Sequence, residues 1–204
     1  MNDALETWSS AIPETLVDAF RSTTPPIIFL GSGFGKEALP AMPTGLELAS
    51  GLRRELGVAD EGIALSELLQ FYKNREVGSA RSVRQWLESK LHHSGPIFAE
   101  PGGAYHLVLT LPGRQILTTN FDLLLDRAAA RILPSARWRS TSDPQKYAEH
   151  LDTTDSTTKV CGTIHGSFDP AGTADIIATT DDYSREFVSQ RWQNAIQYAV
   201  RHHR

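Results

Sequence analysis

Residues 27–35 read Ile27-Ile28-Phe29-Leu30-Gly31-Ser32-Gly33-Phe34-Gly35, a short apolar run that ends abruptly in glycines. A run of this length without polar alternation predicts a strand buried on both faces, the environment of a parallel sheet covered by helices. The segment after it reads as a glycine loop. Glycine reaches positive φ, and it lets backbone N–H groups approach phosphate oxygens with no Cβ in the way. The same glycines would also serve a plain strand-to-helix turn.

Working outward from this stretch, Pro25-Pro26 ends a short helix expected within residues 1–24, with Pro13 near its first turn and Leu16, Val17 and Phe20 on one face. On the other side, Thr44-x-x-Glu47 matches a capping box, and Leu48, Leu52 and Leu56 recur at helical spacing behind it. Two further helical stripes follow, Ile63-Leu65-Leu68-Leu69-Tyr72 and Val83-Trp86-Leu87-Leu91. They predict a helical insert over residues 60–100, longer than a minimal crossover between parallel strands. A helix at Tyr105–Leu111 then leads through Pro112-Gly113 to a second strand at Gln115–Thr119, and a helix is expected over Phe121–Ile132. An edge strand at Arg137–Ser140, a helix near Pro144–His150, a strand at Lys159–Ile164 and another at Ile176–Ala178 complete the pattern. A last amphipathic helix from Asp182 carries Phe187, Trp192, Ile196 and Val200. Strands alternating with helices predict one α/β domain over residues 1–204, with a mainly parallel sheet and helices on both faces.

Composition excludes several classes. A formal net charge of −4 leaves no electrostatic footprint for nucleic acid. The apolar runs are too short to cross a bilayer, and the first residues lack a basic and then apolar leader, so a cytoplasmic location is expected. A single cysteine, Cys161, rules out an intrachain disulfide and a multi-cysteine zinc site. No metal is expected, because His92, His93, His106, His150, His202 and His203 have no carboxylate cluster beside them.

In an open parallel sheet, ligands bind outside the carboxyl ends of the strands. The residues there are Gly31-Ser32-Gly33 after the first strand, Thr119-Asn120-Phe121-Asp122 after the second, and His165-Gly166-Ser167 after the third. Asn120 is suited to cap a helix or to hold a ribose hydroxyl or water, and Asp122 suits a helix N-terminus or a support for the loop. His165, left uncrowded by Gly166, is suited to act as a general base. An ordinary dinucleotide fingerprint is disfavoured, because Lys36 stands where it needs glycine. A P-loop is excluded as well.

Together these segments resemble the sirtuins, and more closely the sirtuin-like domains of prokaryotic antiviral effectors. Gly31-Ser32-Gly33 is similar to the Gly-Ala-Gly phosphate loop, and Pro43-Thr44 resembles the Pro-Thr-Trp that closes the cofactor loop. Thr118-Thr119-Asn120-Phe121-Asp122 resembles the effectors' Thr-Thr-Asn-Tyr-Asp, and Ile164-His165-Gly166-Ser167 the His-Gly catalytic segment. The chain departs from the pattern at Gly35, where many members carry Ser or Thr, and at Gly45, where an aromatic residue commonly shields nicotinamide. The resemblance implies a Rossmann-like fold, NAD as substrate, Asn120 and His165 as catalytic pair, and Gly31, Ser32, Gly33, Pro43, Thr44, Thr119 and Asp122 as NAD-binding residues. It further implies an NAD glycohydrolase that depletes NAD in antiphage defence, self-association into oligomers, and a C-terminal sensor region. A later Gly-x-Ser-Leu strand of the family does not occur before Arg204, so the chain is expected to be the N-terminal part of a longer protein. Two other readings compete: a non-catalytic NAD or ADP-ribose binding module, and a protein deacylase, which Cys161 alone cannot equip with the four-cysteine zinc module of known deacylating sirtuins.

Overall fold

The computed structural model describes residues 14–22, 26–75, 80–92, 103–168 and 176–202. Four parallel strands form one sheet in the order β1-β2-β4-β3, with β1 Ile28–Leu30, β2 Gln115–Thr118, β3 Trp138–Thr141 and β4 Lys159–Thr163. The two central strands, β2 and β4, are buried along their whole length, as expected of strands covered on both faces. Alternation sorts their side chains. Ile116 and Cys161 enter one apolar cluster, and Leu117 and Val160 enter the other. The architecture is α/β and Rossmann-like.

Before β1 lies α1 (Glu14–Arg21), and after it α2 (Ser32–Ala38) and α3 (Gly45–Leu56). The insert supplies α4 (Leu65–Arg75) and α5 (Ala80–Leu91), and α6 (Ala104–Thr110) leads into β2. Leu48, Leu52, Leu68, Leu69, Val83 and Leu87 from these helices join Ile116 in the larger cluster, so the insert covers one face. Beyond β2 come α7 (Leu124–Ile132), α8 (Pro144–Thr153), α9 (Thr180–Ser184) and α10 (Glu186–His202). Tyr147 and Leu151 of α8 pack with Trp192, Ala195 and Ala199 of α10 over the other face. At the edge, β1 leaves Phe29 60 % exposed.

Several sequence expectations shift. The glycine segment is not a loop: α2 starts at Ser32, and no glycine in it has positive φ, those being Gly57, Gly113 and Gly166 among the described residues. The helix expected from Phe121 begins only at Leu124, because the Asp122 carboxylate accepts the Leu124 N–H at 3.0 Å and holds the chain in a turn first. Ile176–Ala178 is not a strand; among the described residues its one ladder-like contact is the Ile177 N–H donated to the His165 carbonyl at 3.0 Å. The last helix divides at Arg185 into α9 and α10. The first helix is described over Glu14–Arg21, and its earlier part with Pro13 lies outside the described residues.

At the amino end of the sheet, Lys159 is 6 % exposed and its Nζ donates to the carbonyls of Leu111 and Gly113 at 2.8 and 2.7 Å. Burial pushes its ammonium down from 10.5 to about 8. Below pH 8 folded and unfolded chains both carry the charge. Between about 8 and 10.5 the unfolded chain keeps a proton that the folded one has released, so stability rises with pH there. Urea unfolding from pH 8 to 10 should show this gain, up to roughly 2 kcal/mol, in the wild type and not in Lys159→Met. Parallel curves for the two proteins would refute it.

Candidate functional site

The first-strand tail is built by α2 and α3. Gly31 caps α2 and makes no side-chain hydrogen bond to the first turn. A Cβ placed on Gly31 or Gly33 would meet nothing within 4 Å, whereas one on Gly45 would lie 3.8 Å from the Ser32 hydroxyl. The start of α3 therefore faces Ser32. That start is the capping box read from the sequence: Thr44 Oγ1 accepts the Glu47 N–H at 3.3 Å, and the Glu47 carboxylate accepts the Thr44 N–H at 2.7 Å. Lys36 of α2 pairs with Glu47 and is the largest influence holding that carboxyl down to about 2. Pro43, half-buried, directly precedes the cap.

The second tail leans on the first. A Cβ on Gly35 would sit 3.5 Å from Asp122 Oδ2, an ordinary van der Waals distance, so α2 packs directly beside that carboxylate. The Thr119 N–H donates to the Leu30 carbonyl at 3.2 Å, tying the end of β2 to the end of β1. Burial raises the Asp122 carboxyl, against the lowering effect of the Leu124 N–H. Asn120 is not a helix cap. Its backbone N–H donates to Thr118 Oγ1 at 3.0 Å, and its Oδ1 is buried with no hydrogen-bond partner among the described residues. Thr163 Oγ1 is the same. Thr163 pairs in register with Thr118, on the sheet face that carries Ile116 and Cys161.

The third tail carries His165 on the turn after β4. Gly166 at φ 82 permits this turn, and its N–H returns to the Thr163 carbonyl at 3.1 Å. The imidazole lies beside Phe121 (6.1 Å between centroids) and edge-on to Tyr183 of α9 (5.2 Å). Phe168 stacks on Phe121 at 5.9 Å and donates its N–H to the Phe121 carbonyl. Burial lowers the His165 imidazole below its ordinary value, partly offset by a hydrogen bond to the Thr119 backbone. The ring is thus neutral at neutral pH, with a lone pair available for a proton.

The structure therefore places Ser32, Thr119, Asn120, Asp122 and His165 on the segments that follow the carboxyl ends of the neighbouring strands β1, β2 and β4, with Thr44 at the start of α3 facing Ser32 and with Gly31 and Gly33 exposed. The cleft that His165 lines is shared with α9 and α10 and not with the other five. Sequence reasoning missed Thr163, Phe121, Phe168 and Tyr183. Only Tyr183 had a local signal: Thr179-x-x-Asp182 is a second capping box, which builds α9 and aims its tyrosine. Among the described residues, no group of three His, Cys, Asp or Glu side chains is placed to hold a metal ion, and no helix is long and apolar enough to cross a membrane.

A search of curated proteins gives no match for the chain. Residues 114–204 match the family model of the SIR2-like domain, so the part of the chain that carries Asn120, Asp122, His165 and Tyr183 is similar to that sirtuin-like family.

Proposed function

We propose that this domain is an NAD glycohydrolase. The observation that carries the reading is a buried Asn120 Oδ1 with no partner among the described residues, on the strand end next to that of His165. A buried acceptor with no partner costs about 1–3 kcal/mol, and a bound ribose hydroxyl or water would satisfy it. Thr163 Oγ1 offers a second such acceptor. The similarity of residues 114–204 to SIR2-like domains, a family of NAD-dependent enzymes, supports NAD as the substrate. Gly31, Ser32 and Gly33 at the start of α2, with Pro43 and Thr44 at the start of α3, form the phosphate side of the site.

In this reading the C1′–N bond breaks with its electron pair returning to the pyridinium ring, so nicotinamide leaves neutral and needs no acid. Water forms the new C1′–O bond. Asn120 orients that water or the ribose, His165 accepts the proton released and passes it to solvent, and Asp122 supports the turn that presents Asn120. The products are ADP-ribose, nicotinamide and one proton. NAD depletion in antiphage defence, the role implied by the resemblance to antiviral effectors, follows from this activity.

The primary test mixes the protein with NAD and follows free nicotinamide, with Asn120→Ala as control. Tight calorimetric binding without nicotinamide release would instead identify a non-catalytic NAD or ADP-ribose module. A second test separates fold from ligand. Gly33→Ala adds a Cβ in open space within a helix, so it should leave stability unchanged or raise it by up to about 1 kcal/mol. The same methyl group intrudes where phosphate must approach, and KM for NAD should rise by roughly tenfold or more. An unchanged KM would remove α2 from the site.

A further inference from the structure

The helical insert is connected to His165 through one short helix. Tyr183 sits on α9, 46 % exposed, with its hydroxyl 3.4 Å from His165 Nδ1 and its ring edge-on to the imidazole. The seat of α9 is fixed at two levels. Locally, Asp182 accepts the Thr179 N–H at 3.0 Å and Thr179 caps the helix in return. From the insert, Gln70 Oε1 of α4 accepts the Asp181 N–H at 3.2 Å, and Lys73 lies 3.9 Å from Asp182. Residues more than a hundred positions apart in the chain thus fix where the Tyr183 hydroxyl stands.

We infer that Tyr183 is a positioning residue for His165, held at the imidazole by α9 and, through Gln70, by the helical insert. The inference rests on the reading of His165 as the base. When His165 takes a proton, its Nδ1–H needs an acceptor, and the hydroxyl supplies one. While the ring is neutral the same hydroxyl adds a second polar hold on its orientation, beside the hydrogen bond to the Thr119 backbone and the aromatic contact with Phe121. Hydrogen bonds to a charged partner are stronger than those to its neutral form, so the hydroxyl favours the imidazolium. Among the described residues, the charged groups nearest this assembly are Asp182 beside Tyr183, with its partner Lys73, and Arg84, whose guanidinium lies 6.0 Å over Phe168. None of these is altered by removing the Tyr183 hydroxyl.

The experiment compares wild type, Tyr183→Phe and Gln70→Leu. Imidazole titration by ¹⁵N-resolved NMR, with the His165 signal assigned by its loss in His165→Gln, reads the contact without any need for turnover. Tyr183→Phe should move the His165 midpoint to lower pH and change its tautomer balance, and Gln70→Leu should do the same to a smaller extent. Nicotinamide release should fall on the order of tenfold in kcat with KM little changed, and the acid limb of the rate profile should follow the NMR midpoint downward. An unchanged His165 midpoint and tautomer in folded Tyr183→Phe would overturn the inference. If wild type itself releases no nicotinamide, the hydrolase reading fails separately, and the NMR comparison still decides the role of Tyr183.

Discussion

Gly162→Ala is expected to lower the unfolding free energy by about 2–3 kcal/mol, a fall in Tm of roughly 5–10 °C for a chain of this size. Gly162 lies in β4, fixed between β2 and β3 by parallel pairing. A Cβ there would stand 2.7 Å from both Cη2 and Cζ3 of Trp192 and 3.0 Å from Leu117 Cδ2. Leu117 can rotate. Trp192 cannot easily do so, since it is 3 % exposed and its ring meets Tyr147 at 5.6 Å. The backbone has no freedom either, so α10 must lift from the sheet. Ile164 and His165 share a cleft of about 390 Å³ with Trp192 and Ile196, so any lift of α10 reaches the turn that carries the imidazole. The double variant Gly162→Ala/Trp192→Leu should lose clearly less than the sum of its parts, because the smaller side chain vacates the space the methyl group needs. Full additivity, or a Tm within about 1 °C of wild type for the single variant, would show that the contact is not what fixes α10.

The same physics explains which parts of the molecule were legible in the sequence. Gln115–Thr118 and Lys159–Thr163 are covered on both faces, and such strands announce themselves as apolar runs. Ile28–Leu30 carries the same signal and is a strand, but at the sheet edge it leaves Phe29 exposed, against the expectation of burial on both faces. Thr44 and Glu47 were legible because a capping box is a local structure whose partners are three residues apart. The first helix after β1 was not. Each glycine costs a helix about 1 kcal/mol against alanine, and Ser32–Ala38 contains two. It is helical because Phe34 packs on Tyr105 at 4.6 Å and Gly35 fits against Asp122, contacts no local pattern records. Ile176–Ala178 misled in the other direction: its residues favour strands, yet its one backbone bond of that kind reaches His165 and not a sheet edge. At the candidate site the residue types were readable as chemistry. The burial of Thr163 Oγ1, without a partner among the described residues, and the approach of Tyr183 to His165 arise from strand register and helix packing between distant segments, so they became visible only in three dimensions.

His165→Ala and Asn120→Ala should each reduce nicotinamide release by about 10²–10⁴-fold, equivalent to roughly 3–5 kcal/mol of barrier, but they should do so differently. Burial holds the His165 imidazole below its ordinary pKa, so the wild-type rate should be flat through neutral pH and fall on the acid side as the base protonates. His165→Ala removes the group that titrates, and the residual rate should lose that limb. Asn120→Ala leaves the base in place, so the limb should persist beneath a lower plateau. Stability gives a further distinction. The Asn120 Oδ1 is a buried acceptor without a partner among the described residues, and deleting it removes a desolvation penalty, so Asn120→Ala should unfold at the wild-type temperature or above it while losing activity. A side chain kept for the fold would give the opposite result, a lower Tm with nicotinamide release intact. That outcome for Asn120, together with release in His165→Ala within a few-fold of wild type, would show that the reaction does not pass through these two residues.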